Sequence, residues 1–375
     1  MVYFDNAATG GFKPFKSIDS AVNAMKNVNA NAGRSGHKLS LLASELVYET
    51  RKALASFLGV SSPQRIIFTA NCTDALNTAI FGLYKKGSNV ITTVTEHNSV
   101  LRPLYELERR GEITLTIVSP EYGGVTADDI EGKILNNTSL VVLNAVSNVT
   151  GVENDVYGIG KLLKKRNVRF VVDGAQAVGH TSFNVDRQYV DALCIAPHKG
   201  LLASQGIGVL ALAKDVDVYP YRFGGTGFDT FSTSMPEDYP ERLEAGTLNL
   251  PAICSIRAGL SYLQGNVDYV SSQLFSLTEY LINKLSRLPF IKIYSIPNKY
   301  GIVSFSHDEI ASQELAEILS EKYDIAVRGG FHCAPLYHKF LKTEKLGTVR
   351  VSFAPQNTRR EINLLISALK ELSLI

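Results

Sequence analysis

Short apolar segments of strand length alternate with helical segments along the chain up to residue 211. Seven segments rich in β-branched and aliphatic residues have this character: 65–69, 89–94, 113–118, 140–145, 169–173, 192–196 and 206–211. Strands that are buried on both faces read as nearly continuous apolar runs, and the intervening helices cover those faces. The alternation therefore predicts an α/β fold built on a large, mainly parallel, seven-stranded sheet.

The helix predicted over residues 40–58 illustrates the helical segments. Its apolar residues recur at steps of three and four, Ser40 is a candidate for the amino-terminal cap, and Gly59 is a candidate for the end.

The pattern changes near residue 255. A long helical region is predicted over 255–288, followed by strands at 291–295 and 301–306, a helix at 312–322, strands at 325–328 and 348–353, and a last helix from residue 358. This order is typical of a smaller α+β domain. We therefore expect a large domain over 15–255 and a small carboxyl-terminal domain over 256–375, which residues 1–14 join.

Composition narrows the classes of function. Lys and Arg number 38 against 36 Asp and Glu, so a strongly basic nucleic-acid-binding protein is not expected. No apolar run is long enough for a membrane span, and the first residues do not resemble a secretory signal. The four cysteines are widely spaced with no CxxC pair, which favours a cytoplasmic protein without a metal site. Nucleotide-binding glycine motifs, HExxH and GxSxG are also absent.

Chemically active residues follow several predicted strands, and a parallel sheet places its ligand site at these strand ends. Cys72 and Thr73 begin a helix and predict a phosphate site, although Thr73 could be an ordinary cap. His97 could stack on a flat ring or serve only the structure. Asn148 could donate to an oxygen of a ring or belong to a turn.

Two further strand ends carry opposite charges. Asp173 ends an apolar strand, where it could bind a protonated heterocyclic nitrogen or form a structural salt bridge. Lys199 follows the next strand, where it could be an amine with a lowered pKa or a surface lysine in a turn. A phosphate site, an imidazole, an aspartate and a lysine in this order are what pyridoxal 5′-phosphate requires.

At this point the chain resembles the class V, fold-type I family of pyridoxal-phosphate-dependent aminotransferases, and within it the cysteine desulfurase and selenocysteine lyase branch. The segments that carry the resemblance are FDNAATG (4–10), NAGRSGHKLS (31–40), FTANCTDALN (68–77), TEHNSVLRP (95–103), VSNVTG (146–151), VDGAQAVGH (172–180), APHKG (196–200), EAGTLN (244–249), VRGGFHCAPL (327–336) and VRVSFAPQNTRREI (349–362).

The resemblance implies a role for each matching residue. Lys199 would hold the cofactor covalently, Asp173 would bind the pyridine nitrogen, and His97 would stack on the ring and assist proton transfer. Asn148 and Gln176 would lie near the ring oxygen. The phosphate would be surrounded by Cys72, Thr73 and His198, with Thr247 coming from the partner subunit of a homodimer. Many relatives have a phosphate-binding serine where this chain has Ala196.

Substrate binding and the choice of reaction are implied by the carboxyl-terminal motifs. Arg350 would pair with the substrate carboxylate, aided by Asn6 and Arg328, and alternation along the strand places Ser352 on the same face as Arg350. Cys333 lies in a glycine-containing loop where Arg328 and His332 could favour the thiolate. The alternative is a buried, inert cysteine.

The resemblance therefore implies a cysteine desulfurase. L-Cysteine would replace Lys199 on the cofactor, Lys199 would take the α-proton, and the Cys333 thiolate would attack the substrate sulfur. L-Alanine and a Cys333 persulfide would result, and an acceptor protein would take the sulfur. The alternatives are a selenocysteine lyase acting on L-selenocysteine, another C–S lyase of class V in which Cys333 is dispensable, and a non-catalytic sulfur-carrier scaffold.

Overall fold

The computed structural model describes residues 1–33, 35–121 and 123–372, so residue 34 of the 31–40 motif lies outside the described residues. The strands are β1 (Val2–Tyr3), β2 (Ile66–Thr69), β3 (Ser88–Thr93), β4 (Ile113–Val118), β5 (Thr138–Asn144), β6 (Arg169–Asp173), β7 (Ala192–Ile195), β8 (Gly208–Leu212), β9 (Ile291–Ile293), β10 (Ile302–His307), β11 (Ile325–Ala326) and β12 (Val349–Ser352).

Helices occupy much of the sequence between the strands. They are α1 (Phe15–Asn27), α2 (Lys38–Leu58), α3 (Cys72–Leu83), α4 (Asn98–Arg109), α5 (Ala127–Glu131), α6 (Val156–Arg166), α7 (Leu250–Leu263), α8 (Val267–Leu285), α9 (Ser312–Tyr323), α10 (Pro335–Phe340) and α11 (Arg359–Leu372). None of the described helices is both long and apolar enough to cross a membrane.

The predicted seven-stranded sheet is confirmed. Its strand order is β2-β8-β7-β6-β5-β3-β4. Strands β4, β3, β5, β6 and β7 pair in parallel, whereas β8 runs antiparallel to both β7 and β2. The parallel strands therefore end together along one edge of the sheet.

Both faces of this sheet are buried. Along β5, Val141 packs into one apolar cluster with Leu54 of α2, while the next residue, Val142, packs into a second cluster with Leu76 of α3 and Leu104 of α4. Successive side chains of a strand point to opposite faces, so the two clusters lie on the two sides of the sheet. This explains why the strands read as continuous apolar runs.

The ends of α2 show which part of the capping prediction was wrong. Gly59 ends the helix in the left-handed conformation, at φ 63°, as predicted. The amino-terminal cap, however, is His37, whose side chain accepts a hydrogen bond from the Ser40 backbone N–H. The Ser40 hydroxyl instead donates to the Asn31 carbonyl at 2.7 Å. The helix therefore begins earlier than the apolar periodicity indicated.

The carboxyl-terminal part contains a three-stranded antiparallel sheet in the order β12-β10-β9, with α8, α9 and α11 packed nearby. The single helical region predicted over 255–288 is two helices, α7 and α8, and Gly265 between them has φ 78°. Residue 255 lies inside α7, which packs against α1 and α2. The division of the chain into two domains remains a proposal.

The amino-terminal segment joins this carboxyl-terminal part. Strand β1 pairs in parallel with β11, and Asp5 forms a bridge with Ser352 of β12. Asn6 Nδ2 donates to the Ser352 carbonyl at 2.9 Å. Residues from the two ends of the sequence therefore lie side by side at the border of the large sheet.

A buried ion pair fixes the segment before α7 to the large sheet. Glu244 pairs with Arg51 of α2, and both side chains are only 6% exposed. Glu244 Oε1 also accepts the Phe68 backbone N–H of β2 at 2.6 Å. Because each charge is removed from water, each depends on the other for compensation.

We predict that Glu244→Ala will lower the free energy of unfolding by about 3 to 5 kcal/mol, because it leaves the Arg51 guanidinium buried without a counter-charge. Urea denaturation followed by circular dichroism measures this change. The control is Glu45→Ala on the exposed face of α2, which should change the stability by less than about 0.5 kcal/mol. Equal stability of the two variants would contradict the prediction.

Candidate active site

A cavity of about 240 Å³ opens where the central parallel strands end. All but three of the residues selected from the sequence line it: Cys72, Thr73, His97, Asn148, Asp173, Gln176, His198, Lys199, Arg328 and Arg350. The exceptions are Asn6, Thr247 and Cys333. Residues that are widely separated in the sequence therefore meet at one place.

The register of the sheet brings the central members together. Asn144 of β5 is paired with Asp173 of β6, and Asp173 is paired with Cys194 of β7. Asn148 and Lys199 each follow within a few residues of these strand ends. Glycine is required beside the lysine, because a Cβ at position 200 would lie 2.1 Å from the Val178 carbonyl oxygen.

The start of α3 forms one wall. Asn71, and not Thr73, is its cap, since the Asn71 side chain accepts the Asp74 N–H. The backbone N–H groups of Cys72 and Thr73 lie in the first turn, where they have no acceptor within the helix. The Thr73 hydroxyl lies 2.8 Å from that of Ser99. Free N–H groups and a hydroxyl at the positive end of a helix suit an anion such as a phosphate.

His97 caps α4, and this contact fixes its tautomer. Its Nδ1 accepts the Ser99 backbone N–H at 3.0 Å, so the proton of the neutral ring is on Nε2. Burial, aided by the positive charge of Lys199, lowers the pKa of His97 to about 4. The ring is therefore neutral at pH 7 and presents a flat face and a donor to the cavity.

Asp173 is a buried carboxylate with few partners. Its Oδ1 accepts the Ala175 backbone N–H at 2.9 Å and contacts the Cys72 thiol at 3.8 Å. Burial raises the pKa of Asp173, and the nearby Lys199 opposes this effect. A protonated ring nitrogen placed beside it would stabilise the ionised carboxylate.

Lys199 is the amine of the site. Burial lowers its pKa, and the carboxylate of Asp173 only partly offsets this effect. Within the described part of the chain, the Lys199 ammonium has no hydrogen bond or ion pair. A lysine with a lowered pKa and no partner can lose its proton and act as a nucleophile or base.

Three polar side chains complete the polar lining around the lysine. Asn148 Nδ2 donates to the His332 carbonyl at 2.7 Å, while its buried Oδ1 has no partner among the described residues. Gln176 Nε2 donates to the Ala7 carbonyl at 3.0 Å. Burial lowers the pKa of His198 to about 4, so this ring is also neutral and contacts an anion only through hydrogen bonding.

Arg350 also lines the cavity and is almost completely buried. Its Nη2 pairs with Asp5 Oδ1 at 2.8 Å, and its Nη1 donates to the Asn148 carbonyl at 3.0 Å. Arg328 forms a backbone bridge with Arg350, so two guanidinium groups border the same cavity. Their positive charge suits a carboxylate. Asp5 lies within the FDNAATG motif, but the sequence analysis assigned it no role.

Cys333 lies on a loop beside the cavity and is exposed. Arg328 Nη2 is 3.9 Å from the Cys333 sulfur. The Cys333 carbonyl accepts the Asn98 N–H at 2.7 Å. His332 and Cys333 both have positive φ, at 46° and 57°. Two consecutive residues in this region store backbone strain, which the hydrogen bonds to the loop carbonyls hold in place.

The expectation that His332 favours the thiolate is wrong. Burial and the charge of Arg350 lower the pKa of His332 well below its usual value, so the ring is neutral. Its Nε2 bonds to the Thr348 carbonyl at 3.0 Å. Arg328 contacts the Cys333 sulfur, and Arg350 lies near enough to interact with this thiol electrostatically.

Two other selected residues are placed outside the cavity lining. Asn6 Nδ2 donates to the Ser352 carbonyl, and the Ser352 hydroxyl accepts the Ala7 N–H at 2.8 Å. Neither Asn6 nor Ser352 is in the cavity lining. Thr247 is exposed on the segment before α7. Their assigned roles stay predictions.

The site can be compared with known proteins. The family model described as aminotransferase class-V matches residues 2–365. A probable cysteine desulfurase of Methanothermobacter thermautotrophicus is 33% identical, over 99% of this chain and 94% of that protein. One of Pyrococcus abyssi is 34% identical, with the same coverage. The apo structure of a cysteine desulfurase from Thermococcus onnurineus NA1 superposes with a TM-score of 0.90 at 31% identity, covering 99% of this chain and 94% of that one.

The chain belongs to the class-V aminotransferase family. The family is one of enzymes that depend on pyridoxal 5′-phosphate, and the fold-type I architecture expected from the sequence is the fold of these relatives. The residues of the cavity fit that cofactor: a helix amino terminus for a phosphate, a buried carboxylate for a ring nitrogen, an unpaired amine for an aldehyde, and an unpartnered buried oxygen on Asn148. Among the described residues, no cluster of three or more acidic, His or Cys side chains could hold a metal ion.

We predict that iodoacetamide will label Cys333 faster than the other three cysteines, because Cys333 is exposed. Burial raises the pKa of Cys72, Cys194 and Cys254, which keeps these thiols protonated. Mass spectrometry of the labelled peptides measures the order. Cys333→Ser is the control and should remove the fast phase; a fast phase on Cys72 would contradict the description of the site.

Proposed function

We propose that this enzyme is a pyridoxal-phosphate-dependent cysteine desulfurase, which converts L-cysteine to L-alanine and leaves the sulfur as a persulfide on Cys333. The observation that carries the proposal is the juxtaposition of Lys199 and Asp173 in one cavity that Arg350 also lines, with an exposed cysteine beside it. The similar proteins are named as probable cysteine desulfurases and match this chain over nearly its whole length, which supports the same activity.

Different groups of the chain would hold the aldehyde carbon, the phosphate, the ring nitrogen and the ring face of the cofactor. Lys199 would form the covalent link, and the N–H groups at the start of α3 would bind the phosphate together with the Thr73 hydroxyl. Asp173 would pair with the ring nitrogen, and His97 would stack on the ring. When bound, the cofactor withdraws electrons from the α-carbon of the substrate and so makes its proton acidic.

The remaining residues bind and orient the amino acid. Arg350 attracts the α-carboxylate with a planar group suited to it. Arg328, at the same border, adds positive charge for the carboxylate and lies 3.9 Å from the Cys333 sulfur. Lys199 is placed to accept the α-proton, because burial lowers its pKa and so favours the neutral amine that acts as a base.

Cys333 then accepts the sulfur. Its thiolate attacks the substrate sulfur, a new S–S bond forms, and the C–S bond breaks with its electron pair remaining on carbon. That carbon takes up a proton and becomes the methyl group of alanine. Because Cys333 lies outside the cavity lining, this step requires the strained loop to move toward the substrate.

Two partners belong to the proposal. An acceptor protein takes the sulfur from the exposed Cys333. In a homodimer, the partner subunit's Thr247 would contact the phosphate, which fits the exposure of this residue and its position outside the cavity of its own chain.

We predict that Cys333→Ser will retain the bound cofactor but lose alanine release from cysteine by at least about 100-fold, because serine cannot accept the sulfur. An alanine assay, with mass measurement of the Cys333 peptide in the parent enzyme, tests this. Retained turnover would point to another C–S lyase. Faster turnover of L-selenocysteine than of L-cysteine by both proteins would favour a selenocysteine lyase.

We predict that Lys199→Ala will lose the visible absorbance of the lysine-linked cofactor, because no other amine lines the same cavity among the described residues. Absorption spectra after incubation with pyridoxal 5′-phosphate and desalting measure the loss. The control is Lys16→Ala on the exposed side of α1, which should keep the parental spectrum. An unchanged spectrum for Lys199→Ala would overturn the assignment of the cofactor link.

A further inference from the structure

The guanidinium of Arg350 already has a carboxylate partner inside the protein. Arg350 is 1% exposed, and its Nη2 lies 2.8 Å from Asp5 Oδ1. Its Nη1 is bonded to the Asn148 carbonyl, and its buried Nε has no partner among the described residues. The guanidinium that is expected to bind the substrate carboxylate is therefore already bound in part by the carboxylate of Asp5.

Electrostatics explains why such a partner is present. Burial lowers the pKa of Arg350, and the charge of Asp5 acts in the opposite direction. Arg328, bridged to Arg350 through the backbone, adds a second positive charge nearby. Within the described residues, Asp5 is the carboxylate that forms an ion pair with this guanidinium. A buried charge without a partner would be costly.

Asp5 is held in place by its neighbours and not only by Arg350. Its backbone forms a bridge with Ser352, two residues along the strand from Arg350. The next residue, Asn6, is bonded to the Ser352 carbonyl. The Asp5 side chain is 23% exposed, in contrast to the guanidinium it meets. The pairing is thus a fixed feature of the joined amino-terminal and carboxyl-terminal segments.

We propose that Asp5 is a resident carboxylate that competes with the α-carboxylate of the substrate for Arg350, and so sets the affinity of the site for carboxylate ligands. The inference rests on the proposed function in assigning Arg350 to the substrate carboxylate. A guanidinium has five N–H donors, and Asp5 and the Asn148 carbonyl each take one contact here, so Asp5 can keep its contact while the substrate takes others. The cost of two neighbouring anions limits how tightly the second one binds.

The variant Asp5→Asn separates charge from position. Its amide oxygen can still accept from Arg350 Nη2, so the guanidinium keeps its orientation while the competing negative charge is removed. The site should then bind an incoming carboxylate more tightly. Asp5→Glu retains the charge and should bind as the parent does.

The experiment uses the full chain loaded with pyridoxal 5′-phosphate and titrates 3-mercaptopropionate, an analogue of cysteine without the amine, by isothermal titration calorimetry. We expect the Kd of Asp5→Asn to fall by about threefold or more, the scale of a partly exposed charge interaction. Binding of 2-mercaptoethanol, which has no carboxylate, should not change. Asp268→Asn, an exposed residue of the first turn of α8, is the charge-matched control and should bind both ligands as the parent does.

An unchanged or higher Kd for 3-mercaptopropionate in Asp5→Asn would overturn the inference, as would an equal gain for 2-mercaptoethanol. If circular dichroism shows that Asp5→Asn is unfolded, Asp5→Ser, which also removes the charge and retains an acceptor, takes its place with the same expected result. Failure of the proposed function is a separate result, namely no alanine from cysteine in the parent enzyme. The affinity comparison involves no turnover and does not depend on it.

Discussion

The shared register of β5, β6 and β7 is the constraint on which the site depends. Because these strands are parallel, their carboxyl ends lie on one edge, and the pairing places Asn144 beside Asp173 and Asp173 beside Cys194. Side chains alternate along a strand, so a slip by one residue would turn Asp173 to the other face of the sheet. The apolar packing on both faces prevents such a slip. The hydrophobic core therefore determines the position of the polar groups that line the cavity.

Buried polar contacts then fix how the chain leaves that edge. Glu96 Oε1 accepts from the Thr93 hydroxyl and from the Asn144 backbone N–H, which ties the end of β3 to the end of β5. Burial raises the pKa of Glu96 to about 8, so the group is mostly a neutral acid at pH 7 and its desolvation costs less than that of a carboxylate. Asn154 adds bonds to Asn144 from the following loop. His97 and Asn148, which follow these tied strand ends, thus extend from a rigid base.

The sequence predicted the features that depend on local pattern. Apolar runs located the strands, and the types of residue at their ends, together with the resemblance, identified Asp173 and Lys199, which the structure brings into one cavity. It could not identify features that arise from tertiary contacts. The antiparallel direction of β8 depends on its pairing with β7 and β2. The cap at His37 is local, but histidine is not among the preferred cap residues, so the sequence favours Ser40. His332 was misjudged because burial, which no local pattern revealed, removes its charge.

The site also shows why its buried charges lie near opposite charges. Lys199 and Asp173 share one part of the cavity, Arg350 and Asp5 another, and burial opposes the charged form in Lys199, Asp173 and Arg350 alike. An incoming group of opposite charge would therefore stabilise the charged form of these side chains. A cationic ring nitrogen would do so at the aspartate, and a carboxylate at the arginine. Binding energy obtained in this way is specific, because a ligand that lacks either charge leaves a desolvation cost unrelieved. The low polarity that makes these charges costly to bury is the same property that lets the cavity discriminate among ligands.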